Sequence, residues 1–367
     1  MPKVGIVSSE TAKFTKWSDS SIFDLACEPC IHILKNNNNL SKRDVEAVLF
    51  SSCSNEQYSS SIISEMLGLK PRISNRIDNL CNSGTNAIIS AFSYIVSGLC
   101  DSVLVVGAEK ANTMGSKLLW DVTRGSFNLP IHWSAIFANA HMRRYGTTEE
   151  QMAMVAVKNR TNAKKNPNAL FRKIVTIGDV MKSRKIIDPL KLLDCSYLCD
   201  GASALLLMSE EKTKKFTDSP IWIKGFGQQT SAASLSQVID RPSIGAAKLA
   251  ARDAFNMSNI NSLSIDVAEV HDAFTILEIL AYEDLGFTEE GKGGNFVNQD
   301  KIAINTRGGI LGCGHAVGAT GIAQTTEIVA QLSQKAWGRQ VKGCKTGLIH
   351  NLAAAGTSAT VIILGVD

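Results

Sequence analysis

The sequence predicts a layered α/β protein built from two similar halves with a segment inserted between them. Three observations support this fold class. Strand-like apolar runs alternate with amphipathic helical runs, two motifs recur in the same order in both halves, and the composition becomes polar and basic between the halves. At 367 residues, of which 44% are hydrophobic, the chain is long enough for two or three domains with sizeable cores.

The strands and helices of the first half follow one another in a regular order. Apolar runs predict strands over residues 3–8, 45–50 and 100–107. Apolar residues at helical spacing predict helices over residues 20–35 and 59–67. This alternation of short strands with longer helices is typical of a sheet covered by helices.

Two short motifs of the first half recur in the second half. The stretch Asp44–Val48 matches Asp266–Val270, and Cys81–Ile88 lines up with His315–Ile322. In both halves the second motif is followed by an apolar helix and then by an apolar strand, which in the second half covers residues 346–351. We predict a duplicated α/β unit, with chance similarity between two buried α/β segments as the alternative.

The middle of the chain differs from both halves. Residues 119–194 are more polar and more basic, with helix-like runs and few strand signals. We therefore predict a first half over residues 1–118, completed by 195–220, and a second half over 221–367. Residues 119–194 form an inserted loop domain over one face of the core. The stretch that begins at Asp200 is expected to return to the core as a turn followed by a strand.

Composition excludes several classes of protein. The formal net charge is +4 and the basic residues are scattered, which argues against a nucleic-acid partner. Apolar runs are too short for a membrane-spanning helix, and the N-terminal strand turns polar at Ser8, unlike a signal peptide. The nine cysteines are odd in number, so we expect free thiols and a cytoplasmic location. Cys27 and Cys30 have the spacing of half a zinc motif, but no second pair matches them, and we predict no metal site.

One cysteine and two histidines occupy positions suited to catalysis. Cys81 precedes a helix, whose N-terminal amides favour the nucleophilic thiolate. His271 and His315 stand at two further strand-to-helix turns, the second of them rich in glycine. Alone, each residue would more often be a packing or structural residue. Together they are expected to meet at one edge of the sheet, where α/β proteins usually bind ligands.

The motifs that contain these residues resemble the thiolase superfamily over nearly the whole chain. The segment around Cys81, the turn Asp200–Ala202, the box His271–Phe274 and the loop Gly314–His315 occur in the order of that superfamily. His271 in place of the usual Asn, and His350-Asn351 in place of a Cys-containing box, resemble sterol-carrier-protein type thiolases. They resemble archaeal acetoacetyl-CoA thiolases more closely.

The resemblance implies a fold and a reaction. The fold is a five-layered αβαβα arrangement, with helices between two mixed sheets and the insertion over the CoA site. The reaction is the reversible condensation of two acetyl-CoA to acetoacetyl-CoA and CoA. Cys81 would carry the acyl group, His315 would accept the thiol proton, and His271 with His315 would polarise the second thioester. The backbone amides of Cys81 and Ala353 would hold the oxyanion.

The resemblance also implies substrates and partners. CoA thioesters are the substrates, and no bound cofactor is expected. We expect a homodimer or a larger homo-oligomer. The archaeal subgroup associates with hydroxymethylglutaryl-CoA synthase and a small zinc-containing OB-fold protein, which are therefore candidate partners.

The sequence departs from the family at three places. Asn351 replaces a second catalytic cysteine, and Ala273 stands where sterol-carrier-protein type enzymes often supply it. The base that removes the α-proton is thus unassigned. Cys313 is the nearest thiol to His315 in sequence and a candidate acid/base, with a packing role as the alternative. Ala316 replaces a proline, and the run 353–355 replaces glycines, which alone adopt positive φ without strain.

Two other functions stay open. The set of Cys81, His271 and His315 also resembles the Cys-His-His site of decarboxylating ketoacyl synthases, which would release carbon dioxide from malonyl-CoA. A non-catalytic, acyl-CoA-binding homologue would acylate Cys81 without condensation.

Overall fold

Ten strands form one mixed sheet made of two five-stranded halves. The structure is a computed structural model, and it describes residues 2–36, 40–112, 129–234, 242–299, 301–354 and 356–366. The elements of the first half are β1 (Val4–Thr11), α1 (Ile22–Asn36), β2 (Ala47–Ser51), α2 (Ser59–Met66), β3 (Ile73–Ile77), α3 (Ser83–Val96), β4 (Ser102–Lys110) and, after the middle of the chain, β7 (Asp200–Ser209) and α7 (Glu210–Phe216).

The second half supplies the other five strands. Its elements are β8 (Ile221–Thr230), α8 (Gly245–Ser258), β9 (Val267–Glu269), α9 (Thr275–Asp284), α10 (Gly293–Phe296), β10 (Ala303–Ile304), α11 (Gly309–Cys313), α12 (Val317–Leu332), β11 (Thr346–Ala353) and β12 (Ser358–Gly365). Between the halves lie α4 (Pro130–Tyr145), α5 (Glu149–Lys164), α6 (Ile177–Lys182), β5 (Lys185–Ile187) and β6 (Leu190–Lys191).

The two halves of the sheet have the same strand order. It is β3-β2-β4-β7-β1 in the first half and β10-β9-β11-β12-β8 in the second. Numbered along the chain within each half, both orders read third, second, fourth, fifth, first. The halves meet where β1 pairs with β8 through only two residue pairs. The repeated motifs fall on equivalent elements, since one leads into β2 and β9 and the other precedes α3 and α12.

The three largest hydrophobic cores of the described residues lie among five layers. Helices α1 and α2 cover one side of the first half-sheet, where Ile33 packs with Val48 and Leu104. Helices α3 and α12 lie between the half-sheets, and that core joins residues of both halves, such as Ile88 and Ile349. Helices α8 and α9 cover the far side of the second half-sheet. This arrangement confirms the predicted αβαβα fold.

The local predictions differ from the structure in three places. Residues from Asp200 onward were expected to form a turn before the strand, but strand β7 already begins at Asp200. The glycine-rich stretch before His315 contains the short helix α11, whose first amides are bonded to a distant carboxylate, a tertiary contact that a local pattern does not reveal. The middle segment includes the paired strands β5 and β6. The predicted boundary between residues 118 and 119 lies outside the described residues, and the domain boundaries stay predictions.

Among the described residues, no helix is both long enough and apolar enough to span a bilayer.

Candidate active site

Cys81 lies immediately before α3, as the sequence predicts. It is 8% exposed. Burial raises the pKa of the Cys81 thiol to about 12, although the backbone N–H of Ala354 and its own N–H lower it. The resting sulfur is therefore a neutral thiol, and it needs a neighbouring base to become a nucleophile.

His315 is positioned to be that base. Its Nε2 atom lies 3.1 Å from Cys81 Sγ, and its Nδ1 atom lies 2.9 Å from Thr320 Oγ1. A thiol that donates to Nε2 leaves the ring proton on Nδ1, which then donates to the Thr320 hydroxyl. Burial, followed by the charge of Arg307, lowers the pKa of His315 to about 4. The ring is thus a neutral acceptor facing the sulfur.

His271 stands beside His315. The ring centroids are 5.6 Å apart, and the planes are inclined at 81°. His271 is fully buried, and its two ring nitrogens have no hydrogen-bond partner among the residues that the structure describes. Burial lowers the pKa of His271 far below its usual value, and His315 and His350 lower it further. The structure therefore gathers Cys81, His271 and His315 into one buried group.

Asp272 connects the turns that carry the two histidines. Its carboxylate accepts hydrogen bonds from the amides of Ile310 at 2.6 Å and Leu311 at 3.1 Å, in the first turn of α11. Its Oδ2 atom also accepts from Asn159 Nδ2 at 2.7 Å. Asn159 belongs to α5, so the middle segment takes part in holding the site.

The segment that leaves the middle of the chain binds both histidine turns through its backbone. The N–H of Ser196 donates to the carbonyl of Ala273 at 2.8 Å. The N–H of His315 donates to the carbonyl of Tyr197 at 2.8 Å, and the N–H of Cys199 donates to the carbonyl of His315 at 3.2 Å. The segment 196–199 therefore ties the turn that follows His271 to the turn that carries His315, and so helps to set the spacing of the two histidines.

The amide of Ala354, which follows Ala353, faces the Cys81 sulfur, and the role of the Ala353 amide in holding the oxyanion stays a prediction. Ala353 is the last residue of β11 and pairs with Ser358 of β12. The next residue, Ala354, has a φ of 52°, in the left-handed region that alanine rarely adopts, and its N–H faces Cys81 Sγ. The sequence indicates this strain through the alanines that replace glycines, but not which amide faces the sulfur.

Cys313 has the contacts of a packing residue. Its thiol donates to the Arg307 carbonyl at 3.0 Å, and its side chain packs against Ala163 and Ala169. Burial raises the pKa of this thiol to about 11. The prediction that Cys313 is the acid/base gains no support from these contacts.

Sequence reasoning did not assign a role to His350 or Asn351. His350 is fully buried, and both of its ring nitrogens lack a partner among the described residues. Asn351 donates to Gln324 Oε1 at 2.6 Å, while its own Oδ1 is unpartnered. The signal was present in the sequence, because these two residues replace the usual Cys-containing box.

Two family models cover most of the chain. The one described as "Thiolase, N-terminal domain" matches residues 4–211, and "Thiolase C-terminal domain-like" matches residues 227–366. The acetyl-CoA acetyltransferase of Methanothermobacter thermautotrophicus is 36% identical over an alignment of 383 positions, covering 99% of each chain. Sterol carrier protein 2 of Oryctolagus cuniculus is 34% identical over 313 residues, covering 78% of this chain and 57% of that protein.

Two solved structures share the fold. The "Ltp2-ChsH2(DUF35) aldolase" has a TM-score of 0.89 at 24% identity, covering 100% of this chain and 98% of that chain. Human mitochondrial 3-ketoacyl-CoA thiolase in complex with CoA has a TM-score of 0.79 at 18% identity, with the same coverage. At such identities the likeness concerns the fold alone.

Proposed function

This chain belongs to the thiolase family, and we propose that it catalyses the reversible condensation of two acetyl-CoA to acetoacetyl-CoA and CoA through an acyl-Cys81 intermediate. The acetyl-CoA acetyltransferases among its relatives support acyl transfer as the reaction class. The substrate pair is our proposal.

One observation carries this function, the short contact between Cys81 Sγ and His315 Nε2. A neutral imidazole at 3.1 Å from a buried thiol can take its proton as the sulfur attacks a thioester carbon. The Thr320 hydroxyl behind the ring can accept from Nδ1–H, which suits the tautomer with a free Nε2 lone pair. A merely structural cysteine needs neither a base nor an oriented tautomer.

In the acylation step, Cys81 displaces CoA from an acyl-CoA. The Cys81 proton moves to His315 and then to the departing CoA thiolate, and the acyl group stays on the sulfur. The thioester oxygen gains negative charge on the way. The N–H groups of Cys81 and Ala354, which already lower the pKa of the thiol, are suited to stabilise that charge.

In the condensation step, a second acetyl-CoA loses an α-proton and its enolate attacks the acyl-Cys81 carbon. His271 and His315 are placed to stabilise the enolate oxygen, since their rings are in edge-to-face contact and both are buried. The C–S bond to Cys81 then breaks and acetoacetyl-CoA is released. Thiolysis runs the same steps in reverse.

We further propose that the protein acts in the cytoplasm as a homo-oligomer with partner proteins. Hydroxymethylglutaryl-CoA synthase and a zinc-containing OB-fold protein remain the candidates. One structural neighbour, Ltp2, is named together with the DUF35 protein ChsH2, which supports the expectation of a partner. Co-purification that yields only a homo-oligomer, together with failure of the added candidates to bind, would remove this part of the proposal.

The test is cleavage of acetoacetyl-CoA by CoA, followed at the enolate absorbance. We expect activity in the wild-type protein and a loss of at least about 100-fold in Cys81→Ala, because the nucleophile is gone. Cys100→Ala, at another buried cysteine in a hydrophobic core, is the matched control and should stay active. A folded wild-type protein without activity would contradict the proposal. Release of carbon dioxide from malonyl-CoA would then favour the synthase, and acylation of Cys81 alone would favour the acyl-CoA binder.

A further inference from the structure

Glu109 is a buried carboxylate near the end of β4, on the side of the sheet that faces the catalytic helices. It is 2% exposed. Side chains alternate along a strand, so Glu109 shares a face with Val103 and Val105, which pack in the core between the two half-sheets. Helices α3 and α12, which begin just after Cys81 and His315, contribute to that core. A carboxylate in such a place costs free energy unless donors bond to it.

Three donors converge on Glu109. Its Oε2 atom accepts from the N–H of Cys53 at 2.9 Å and from the N–H of Gly318 at 3.1 Å. Its Oε1 atom accepts from the Ser52 hydroxyl at 3.1 Å. Gly318 lies in the first turn of α12, whereas Ser52 and Cys53 follow β2. Glu109 therefore joins the start of α12 to the loop after β2.

The residue at the N-cap of α12 cannot cap this helix with its side chain. Ala316 has no side-chain acceptor, and the first amides of a helix have no partner within it. A glycine lets the first turn approach the sheet, because a Cβ on Gly318 would lie only 2.7 Å from the Ser51 carbonyl oxygen. Glu109 caps this turn from β4, and its negative charge suits the positive end of the helix.

The first turn of α12 also sets the position of the base. His315 lies two residues before this helix, and its Nδ1 atom is 2.9 Å from the hydroxyl of Thr320, which belongs to the helix. The Nε2 atom of the same ring is 3.1 Å from Cys81 Sγ. A displacement of this turn would therefore change the distance between base and nucleophile, and a misplacement of about 1 Å can cost about 100-fold in rate.

The loop after β2 contacts the turn that carries the nucleophile. Cys53 Sγ lies 3.8 Å from the hydroxyl oxygen of Ser83. That hydroxyl donates to the carbonyl of Leu80, the residue before Cys81, at 2.6 Å. Glu109 thus stands between the turn of the nucleophile and the turn of the base.

We propose that Glu109 is a positioning residue for acyl transfer, whose ionised carboxylate holds the His315 turn against the Cys81 turn. The inference rests on the proposed acylation of Cys81. A protonated carboxyl accepts hydrogen bonds more weakly than a carboxylate, so protonation of Glu109 should loosen its bond to Gly318. Burial raises the pKa of Glu109 to about 6, although its three hydrogen bonds lower it. The wild-type rate of acylation should therefore fall as pH is lowered through about 6.

The titratable groups around Glu109 belong to the parts of the chain that it joins. Asp78, three residues before Cys81, raises the pKa of Glu109 by its charge. The charge of Glu109 in turn raises the pKa of the thiols of Cys53 and Cys81. On the side of α12, His315 stays neutral over this range, since burial and then the charge of a nearby arginine lower its pKa to about 4.

The experiment measures acetylation of Cys81 by acetyl-CoA, with rapid quenching and mass spectrometry. The wild type is compared with Glu109→Gln, which keeps the shape of the side chain but replaces one acceptor oxygen with an N–H donor group. In mildly alkaline solution we expect the maximal rate of the variant to be lower by about 100-fold, with the half-saturating concentration of acetyl-CoA unchanged. The ratio of the wild-type rate to the variant rate should shrink below about pH 6, where the wild-type carboxyl is itself protonated.

A milder variant tests the same link with the carboxylate in place. Ser52→Ala deletes a hydrogen bond that lowers the pKa of Glu109. The fall in the rate of acetylation should therefore move to higher pH, while the rate in alkaline solution stays close to that of the wild type. Ser52→Ala also keeps the proposal testable if Glu109→Gln does not fold.

The matched control is a buried glutamate with similar bonds elsewhere in the fold. Glu283 of α9 accepts from the N–H of Gly293 at 2.7 Å and contacts the His141 ring at 3.1 Å. Glu283→Gln should lose stability but keep both the rate of acetylation and its dependence on pH.

Several outcomes would overturn the inference. Equal rates in the wild type and Glu109→Gln would do so, as would a ratio of these rates that is the same at every pH. An equal slowing in Glu283→Gln would show that any lost buried carboxylate has this effect. A fall in rate that stays at the same pH in Ser52→Ala would assign the titration to another group. A folded wild-type protein that is not acetylated refutes instead the proposed function, so the two failures are distinguishable.

Discussion

At the residue scale, one strained alanine lies next to the nucleophile. Ala354 has a left-handed φ of 52°, and its N–H faces Cys81 Sγ. For an L-residue with a Cβ this conformation costs about 1–2 kcal/mol, and the surrounding structure supplies that energy. Such strain is found where a backbone group must point in one direction for function.

The substitution Ala354→Gly tests this strain. Glycine removes the Cβ penalty but loses more entropy on folding, so we expect unchanged or slightly higher stability, by up to about 1 kcal/mol, and retained activity. Ala353→Gly is the matched control, because Ala353 lies in β11, where glycine should cost about 0.5–1 kcal/mol. Chemical denaturation gives both values, and equal losses in the two variants would argue against strain at Ala354.

At the scale of elements, the site is held by loops that fix one another rather than by any single helix. The turn after β9 carries His271, and α11 precedes His315. The Asp272 carboxylate joins these elements by bonds to Ile310 and Leu311. Glu278 of α9 extends the connection, since it also accepts from Asn159 at 2.7 Å. The distance between the catalytic rings is therefore a property of this network.

Replacement of Asp272, compared with replacement of another buried carboxylate, tests whether Asp272 positions the catalytic residues as well as stabilising the fold. Asp272→Asn removes a charged acceptor for two amides, and we expect a loss of about 2–3 kcal/mol in the free energy of unfolding together with slower acetylation of Cys81. Asp284 is a buried carboxylate that binds Ser243 and the Ile244 amide at the start of α8. Asp284→Asn should lose similar stability but keep the acetylation rate. The same acetylation rate in both variants would refute a positioning role for Asp272.

At the scale of the whole molecule, burial of neutral histidines makes stability depend on pH. Burial lowers the pKa of His350 to about 3, whereas an unfolded histidine titrates near 6.5. The unfolded chain therefore binds a proton that the folded chain does not, and this contribution destabilises the fold as pH falls from about 6.5. Burial raises the pKa of the carboxyls of Glu269 and Asp272, which acts in the opposite direction over the same range.

Comparing the stability of the wild type with that of a His350 variant isolates the pH dependence that His350 contributes. The stability of the wild type minus that of His350→Gln should fall by up to about 1.4 kcal/mol per pH unit between pH 6 and 4, and should be constant above pH 7.5. Urea titrations of both proteins at several pH values measure it. A difference that does not vary with pH would show that His350 has the same pKa in the folded protein as in the unfolded chain.

The fold and most of the site follow from local features of the sequence. Alternating apolar patterns reflect sheets and helices that bury one face each, so they predict the layers. The motif repeats predict equivalent elements, and the structure confirms this in the shared strand order of its two half-sheets. Cys81, His271 and His315 could be named because each stands at a strand-to-helix turn, and such turns collect at one edge of a sheet.

The tertiary structure alone decided the rest. The Ala354 amide faces the Cys81 sulfur, and Ala354 has a positive φ, and neither feature is written in the local sequence. That Cys313 packs against Ala163 and Ala169 depends on the middle segment, which is far away along the chain. Residue type and spacing specify which elements form. The atoms that meet are set by the register and packing of elements far apart in sequence.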